Sequence, residues 1–189
     1  DFLINGSKVF GTNSAEAEVF LIYLRFGPGV DGIGSAIIEK GTPGFEIGPS
    51  NRYMNGEFWS PLYFDNCRIP ESNILLGAGG FKKQISGFNI ERLGNAARAV
   101  AVGRKAFSEA CEHAKTRQQF GRDICEFQGL QWKFAEMEMR LEAAQLLLLR
   151  AVTKADSNLP SAQDSALAKL ACNEAGFFAA NEALQVMGA

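Results

Sequence analysis

The sequence has no C-x-x-C pair, no long apolar run, no block of like charges and a single histidine. Each absence removes a class of function. The four cysteines, Cys67, Cys111, Cys125 and Cys172, are widely spaced. That argues against a zinc site or disulfide framework and fits a reducing cytosol or organelle matrix. No apolar stretch reaches the ~18 residues of a membrane span. A net charge of −2 with 21% charged residues supplies no positive field for nucleic acid and no charged tail. His113 lies beside Glu112 and close to Lys115 and reads as solvated, so a Ser-His-Asp or His-metal mechanism has little support. Gly77-Ala78-Gly79-Gly80-Phe81 lacks the G-x-G-x-x-G spacing and sits in no βαβ pattern, so it reads as a turn and not as a phosphate loop. No signal peptide is visible, and the chain opens on Asp1-Phe2-Leu3-Ile4 as if in mid-strand.

What is present falls into two halves with different periods. Residues 1–78 read as β structure. Phe2-Leu3-Ile4, Asn5-Gly6-Ser7 and Lys8-Val9-Phe10 give a strand, an Asn-Gly turn and a second strand, the pattern of a hairpin. Further strands are expected at 19–26, 33–38, 45–47 and 62–64, separated by Gly and Pro clusters such as Gly27-Pro28-Gly29 and Thr42-Pro43-Gly44. Short strands with regular turns predict an antiparallel sandwich or barrel.

After Pro70 the spacing turns helical. Leu93, Ala96, Val100, Gly103, Phe107, Ala110 and Ala114 line one face. Phe127, Leu130, Phe134, Met137, Leu141, Ala144, Leu148 and Ala151 line another. A third, Ala-rich segment starts near Ser161, which can cap it with Asp164 three residues on, and runs to Gln185. Flanking leucines widen the apolar faces, as for helices packed on more than one side. Trp59 and Trp132 are expected to have packing roles. The fold class is α+β: an antiparallel β domain over 1–78, then an incomplete four-helix bundle of three long antiparallel helices over 79–189. Three helices are one short of a bundle, which suggests a fragment or a module that needs a partner.

Thr116-Arg117-Gln118-Gln119-Phe120-Gly121, between the first two helices, is the most informative stretch. Arg117 can hold a phosphate through two parallel hydrogen bonds. Phe120 offers a face or edge to a flat ring, and Gly121 lets the backbone turn. Gln128 opens the next helix. At the end of the second expected strand, Phe10-Gly11-Thr12-Asn13 places an aromatic ring beside a hydroxyl that can bond a ring edge.

These segments together resemble the acyl-CoA dehydrogenases. The family carries a Trp-x-Thr-Asn segment after the same "ΦINGxK" pattern (Φ apolar), where this chain has Phe10 in place of Trp. The resemblance continues through Gly41-Thr42-Pro43-Gly44-Phe45, Tyr63-Phe64-Asp65-Asn66-Cys67-Arg68-Ile69-Pro70, Asn73-Ile74-Leu75 and Gly79-Gly80-Phe81, and runs from Phe88 through Gln185 without gaps. It implies most of a middle β domain and three of the four C-terminal helices. It also implies FAD bound between the β domain of one subunit and the helices of its neighbour, in a dimer or tetramer. By that resemblance Phe10, Gly11 and Thr12 would meet the isoalloxazine. Arg117, Gln118, Gln119 and Phe120 would reach the pyrophosphate and nearby groups from the partner subunit. Phe127, Gln128, Gln185, Val186, Met187, Gly188 and Ala189 would complete the contacts, although Met187-Gly188-Ala189 departs from the usual pair of glycines.

Dehydrogenation of an acyl thioester needs a base for the α proton and a hydride acceptor for the β hydrogen. A carboxylate whose pKa is raised by burial suits the first task and a flavin the second. In much of the family the base follows the segment matching 185–189. In the isovaleryl-CoA and long-chain members it is a Glu just before an Arg on the first bundle helix, where this chain has Glu91-Arg92. Glu91 is therefore the candidate base. Asn89, Ile90, Glu91 and Arg92 are the candidate substrate contacts, with Asn89 in place of the common Asp. Hydrogen bonds to the thioester oxygen, one from a flavin ribose hydroxyl, would stabilise the enolate. The implied partners are an acyl-CoA and an electron-transfer flavoprotein, and the implied location is a bacterial cytoplasm or a mitochondrial matrix. A flavin oxidase on the same fold, or a non-catalytic assembly module that keeps the fold without flavin, are the competing readings.

Overall fold

Asn5-Gly6 does not turn the chain. In the computed structural model, which describes residues 1–155 and 159–188, β1 runs unbroken from Phe2 to Thr12 and pairs along its length with β6, Phe58–Ile69. The hairpin expected at Asn5-Gly6-Ser7 is thus a bulge in a continuous ladder. Ile4 pairs with Cys67 and Gly6 with Phe64, so β6 carries one extra residue there. The Asn66 backbone N–H, left over by the bulge, donates to the Asn5 side-chain oxygen at 2.8 Å. Gly6, at φ 138°, takes a conformation open only to glycine. A twelve-residue partner strand offers β1 more ladder bonds than a tight hairpin with its own second half. Local turn chemistry yields to that.

The other strands fall where the alternation puts them, with β6 much longer than the three residues expected. They are β2 (Val19–Arg25), β3 (Ile33–Glu39), β4 (Phe45–Ile47), β5 (Asn51–Arg52) and β7 (Ile74–Leu76). One antiparallel sheet has the order β1-β6-β4, with β5 also on β6; the second has the order β2-β3-β7. The two sheets share one apolar core of Ile4, Phe20, Ile22, Ala36, Ile38, Leu62, Phe64, Cys67 and Ile69. Phe45 stacks on Phe64 at 5.0 Å and meets Phe20 edge-on at 4.9 Å. These strands belong to the first of two compact units, residues 1–84 and 85–189.

In the second unit, α1 (Phe81–Thr116, from its fifth residue on), α2 (Gln128–Thr153) and α3 (Ala162–Met187) pack antiparallel. Phe107 meets Phe134 while Arg104, farther back on α1, reaches Glu138, Glu142 and Gln145, farther on along α2. Between α2 and α3, Lys133 pairs with Glu182 and Arg150 with Asp164. Small residues set the helix separation: Ala96, Ala110, Ala114, Ala144, Ala179 and Ala183 are all in the core. A Cβ on Gly103 would lie 2.9 Å from the Gly176 Cα, and one on Gly176 would strike the Ala99 carbonyl. Ser161 caps α3 as the sequence predicts, its hydroxyl accepting from the Asp164 backbone N–H at 3.0 Å.

Trp132 does not pack as expected: it is 68% exposed. Its neighbours at seven-residue steps, Met139 and Leu146, are exposed with it, as are Leu170, Phe177 and Leu184 on α3. The widened apolar faces are real, but among the described residues only one side of each helix is covered, because three helices enclose one shared seam. No helix of the described residues is long and apolar enough to cross a membrane.

Candidate functional site

In the β unit, the site residues gather at the end of β1. Lys8 pairs with Leu62 and Gly11 with Ser60, so β1 carries one extra residue across from Pro61. Proline has no backbone N–H to give the ladder, which makes this the natural place for a bulge. Phe10 adopts φ 58° and is 61% exposed; Asn13, at φ 56°, donates its backbone N–H to the Phe58 carbonyl at 2.9 Å. A Cβ on Gly11 would strike the Ser14 hydroxyl and crowd the Ser60 carbonyl at 3.1 Å. Thr12 faces Trp59 across the ladder. The result is an exposed ring, a bare backbone and a hydroxyl on three successive residues, an arrangement suited to a flat heteroaromatic ligand.

In the helical unit, Gln118–Gln119 and Arg122–Asp123 form a two-stranded hairpin, β8 and β9, between α1 and α2. Phe120 (φ 53°) and Gly121 (φ 78°) fill its two turn positions, as a tight type I′ turn requires. The Phe120 ring is held out at the tip, 93% exposed, and meets Phe127 edge-on at 6.2 Å. Arg122 lies over the Phe127 ring at 4.1 Å, and the Gln118 amide donates to Asp123 at 3.0 Å. Arg117 is fixed by its backbone, which donates to the His113 carbonyl and accepts from Ile124. Its guanidinium is exposed, and among the described residues no ion pair or hydrogen bond engages it. Gln119 and Gln128 are also exposed, and Phe127, the N-cap of α2, has no side-chain oxygen with which to cap the helix. A free cation and an open helix start are what an anionic diphosphate needs.

Toward the start of α1, the four candidate substrate residues split between inside and outside. Asn89 is 5% exposed; its amide nitrogen donates to the Pro160 carbonyl at 2.8 Å, and its oxygen accepts from Arg92 at 2.7 Å. Both ends of the amide are thus engaged within the chain, tying α1 to the α2–α3 connection and aiming Arg92. Ile90 and Glu91 are exposed. At the end of α3, Gly188 caps the helix at φ 85°, Gln185 and Met187 are exposed, and Val186 is buried in the helical core. Ala189 lies outside the described residues.

The candidate residues were named from the sequence, but their couplings were not. Trp59, Tyr53 and Pro160 were missed as neighbours of site residues, since each is brought there by a contact across 43 to 71 positions. No group of His, Cys, Asp and Glu among the described residues could hold a metal.

Comparison with known proteins places these sites in context. Residues 78–189 match the family model of the acyl-CoA dehydrogenase C-terminal domain. An acyl-CoA dehydrogenase of Bacillus subtilis (strain 168) is 36% identical over 192 residues, covering 99% of this chain and 51% of that protein. The structure of butyryl-CoA dehydrogenase from Megasphaera elsdenii superposes with a TM-score of 0.90 at 33% identity, over 98% of this chain and 50% of the other. The FAD complex of PigA gives 0.89 at 33% identity, over 99% and 50%. The chain thus spans about half the length of the curated relatives it matches.

Proposed function

The chain belongs to the acyl-CoA dehydrogenase family, and from that premise we propose that the complete protein is an FAD-dependent acyl-CoA dehydrogenase. It would remove hydrogens from Cα and Cβ of an acyl-CoA thioester and pass the electrons to an electron-transfer flavoprotein. The observation that carries this reading is the hairpin between α1 and α2, where the Arg117 guanidinium, unpaired among the described residues, and the Phe120 ring are both exposed. Both suit a diphosphate joined to a flat ring.

The residues present fit the cofactor. Phe10, Gly11 and Thr12 of one subunit would hold the ring system. Arg117, Gln118, Gln119, Phe120, Phe127 and Gln128 of another, with Gln185 to Gly188, would hold the pyrophosphate and neighbouring groups. Val186, being buried, would contribute backbone only. Bound FAD supplies the acceptor for the hydride that leaves Cβ.

This chain's own part in the chemistry is positional and acid–base. Glu91 would take the α proton through a carboxylate oxygen. Arg92, aimed by the Asn89 oxygen at 2.7 Å, would place the substrate or its CoA moiety. Exposure of Glu91 in this chain leaves it accessible to a ligand, and closure over the acyl group by other parts of a homo-oligomer would exclude water. The proposed setting is a bacterial cytoplasm or a mitochondrial matrix.

The test uses the full-length protein. A yellow preparation whose visible flavin band is bleached by acyl-CoA, and stays bleached in air until an acceptor is added, is the expected result. Rapid recovery in air would make it an oxidase, and a colourless protein that takes up no FAD would make it an assembly module.

A further inference from the structure

Phe10 and Asn13 both sit in the left-handed region, at φ 58° and 56°, within four residues. A side chain there is strained, so surrounding contacts must hold the conformation. For Phe10 those contacts come from one place, the hairpin of β5 and β6. The Trp59 ring lies 4.7 Å from the Phe10 ring at 48°, and the Tyr53 hydroxyl donates to the Phe10 carbonyl at 3.5 Å. Tyr53 in turn lies 6.1 Å from Trp59, and its backbone N–H closes the hairpin on the Glu57 carbonyl at 2.8 Å.

Trp59 also faces Thr12 directly across the β1–β6 ladder. It is therefore the shared neighbour of the ring and the hydroxyl that the flavin reading assigns to the cofactor. Phe10, Trp59 and Tyr53 all lie outside the apolar core that joins the two sheets. The cluster does not hold the sandwich together, and its outermost member is a largely exposed ring. A strained residue clamped from both ring and carbonyl, with its free side turned to solvent, is a platform fixed for something to lie on.

We propose that Trp59 is a positioning residue for the flavin contacts of Phe10 and Thr12, a role that rests on the flavin reading above. Without the indole, the Phe10 ring loses its stacking partner and its backbone can relax out of the left-handed region. Thr12 loses its cross-strand neighbour. The flavin site would keep its residues and lose their relative orientation.

The experiment compares Trp59→Leu, Trp59→Phe and Phe10→Leu in the full-length protein, by FAD titration and by the position and shape of the visible flavin band. Thermal unfolding of the apoprotein serves as a fold control. Trp59→Leu is expected to weaken FAD binding about tenfold and to shift the band. Trp59→Phe, which keeps a smaller ring, is expected to fall between Trp59→Leu and the parent in both readouts. Parent-like affinity and spectrum in both Trp59 variants overturn the proposal. If Trp59→Leu fails to fold, a parent-like Trp59→Phe overturns it too, since the residue is then structural. If Phe10→Leu leaves FAD binding and spectrum untouched, the flavin reading of β1 itself fails, whatever the Trp59 variants do.

Discussion

Glu91 and Arg117 stand near opposite ends of α1, roughly 39 Å apart at the rise of an α-helix. Both face solvent. One chain cannot bring them to the same reacting centre, because the helix between them is continuous. If Glu91 serves the acyl group and Arg117 a flavin diphosphate, the two belong to different copies of the site. That makes oligomerisation a requirement of the chemistry proposed and ties the first prediction to it.

Arg117→Lys in the full-length protein is expected to weaken FAD binding about tenfold, and Arg117→Ala further, as read by flavin titration. The planar fork that fits a diphosphate is lost in the first and the charge in the second. The 189-residue chain alone is expected to bind FAD weakly or not at all; tight stoichiometric binding by it would overturn the shared site.

Glu91→Gln is expected to leave FAD affinity unchanged and to slow acyl-CoA-driven bleaching about a hundred- to ten-thousandfold, the usual scale for removing a catalytic base. Rapid mixing in the absence of an electron acceptor measures the step directly. Bleaching at the parent rate would move the base to a carboxylate elsewhere in the protein.

Asn89→Ala removes the donor to the Pro160 carbonyl and the acceptor for Arg92. A loss of about 1–3 kcal/mol in denaturant unfolding is expected from the unpaired buried carbonyl. Asn89→Asp restores the acceptor but not the donor, so it should recover the placement of Arg92 and only part of the stability. A KM for acyl-CoA close to the parent in Asn89→Asp, but raised in Asn89→Ala, would separate the two roles.

Gly176→Ala places a methyl group against the Ala99 backbone, which cannot swing aside. Overpacking of this kind costs about 1–3 kcal/mol. The expected result is a lower denaturation midpoint with the dependence on denaturant unchanged.

The thiols should sort by burial. Burial pushes the Cys67 and Cys172 thiols up from the ordinary value, so less thiolate is present at neutral pH than for a solvated cysteine. Cys67 and Cys172 should therefore be alkylated slowly in the folded protein and mainly on unfolding. Mass spectrometry of peptides alkylated with and without denaturant checks this.

Much of this molecule was legible in its residues, and the misses share a cause. The apolar spacing of α1 and α2 read correctly because each core residue repeats a local signal every three or four positions. The Ser161 cap read correctly because its partner is three residues away. Asn5-Gly6 misled because its chemistry suits a hairpin and a bulge alike, and only the length of β6 decides between them. Trp132 misled because tryptophan is usually covered, and coverage depends on what lies across from it.

The sequence by itself determined the class of fold, the helical faces and the turn at Phe120-Gly121. These follow from backbone sterics and short-range periodicity, which neighbours along the chain impose. Tertiary structure alone decided that Phe10 is clamped by Trp59 and Tyr53 and that Asn89 is tied to Pro160. Those relations depend on strand register and helix pairing, which arise when distant segments compete to bury surface and satisfy hydrogen bonds.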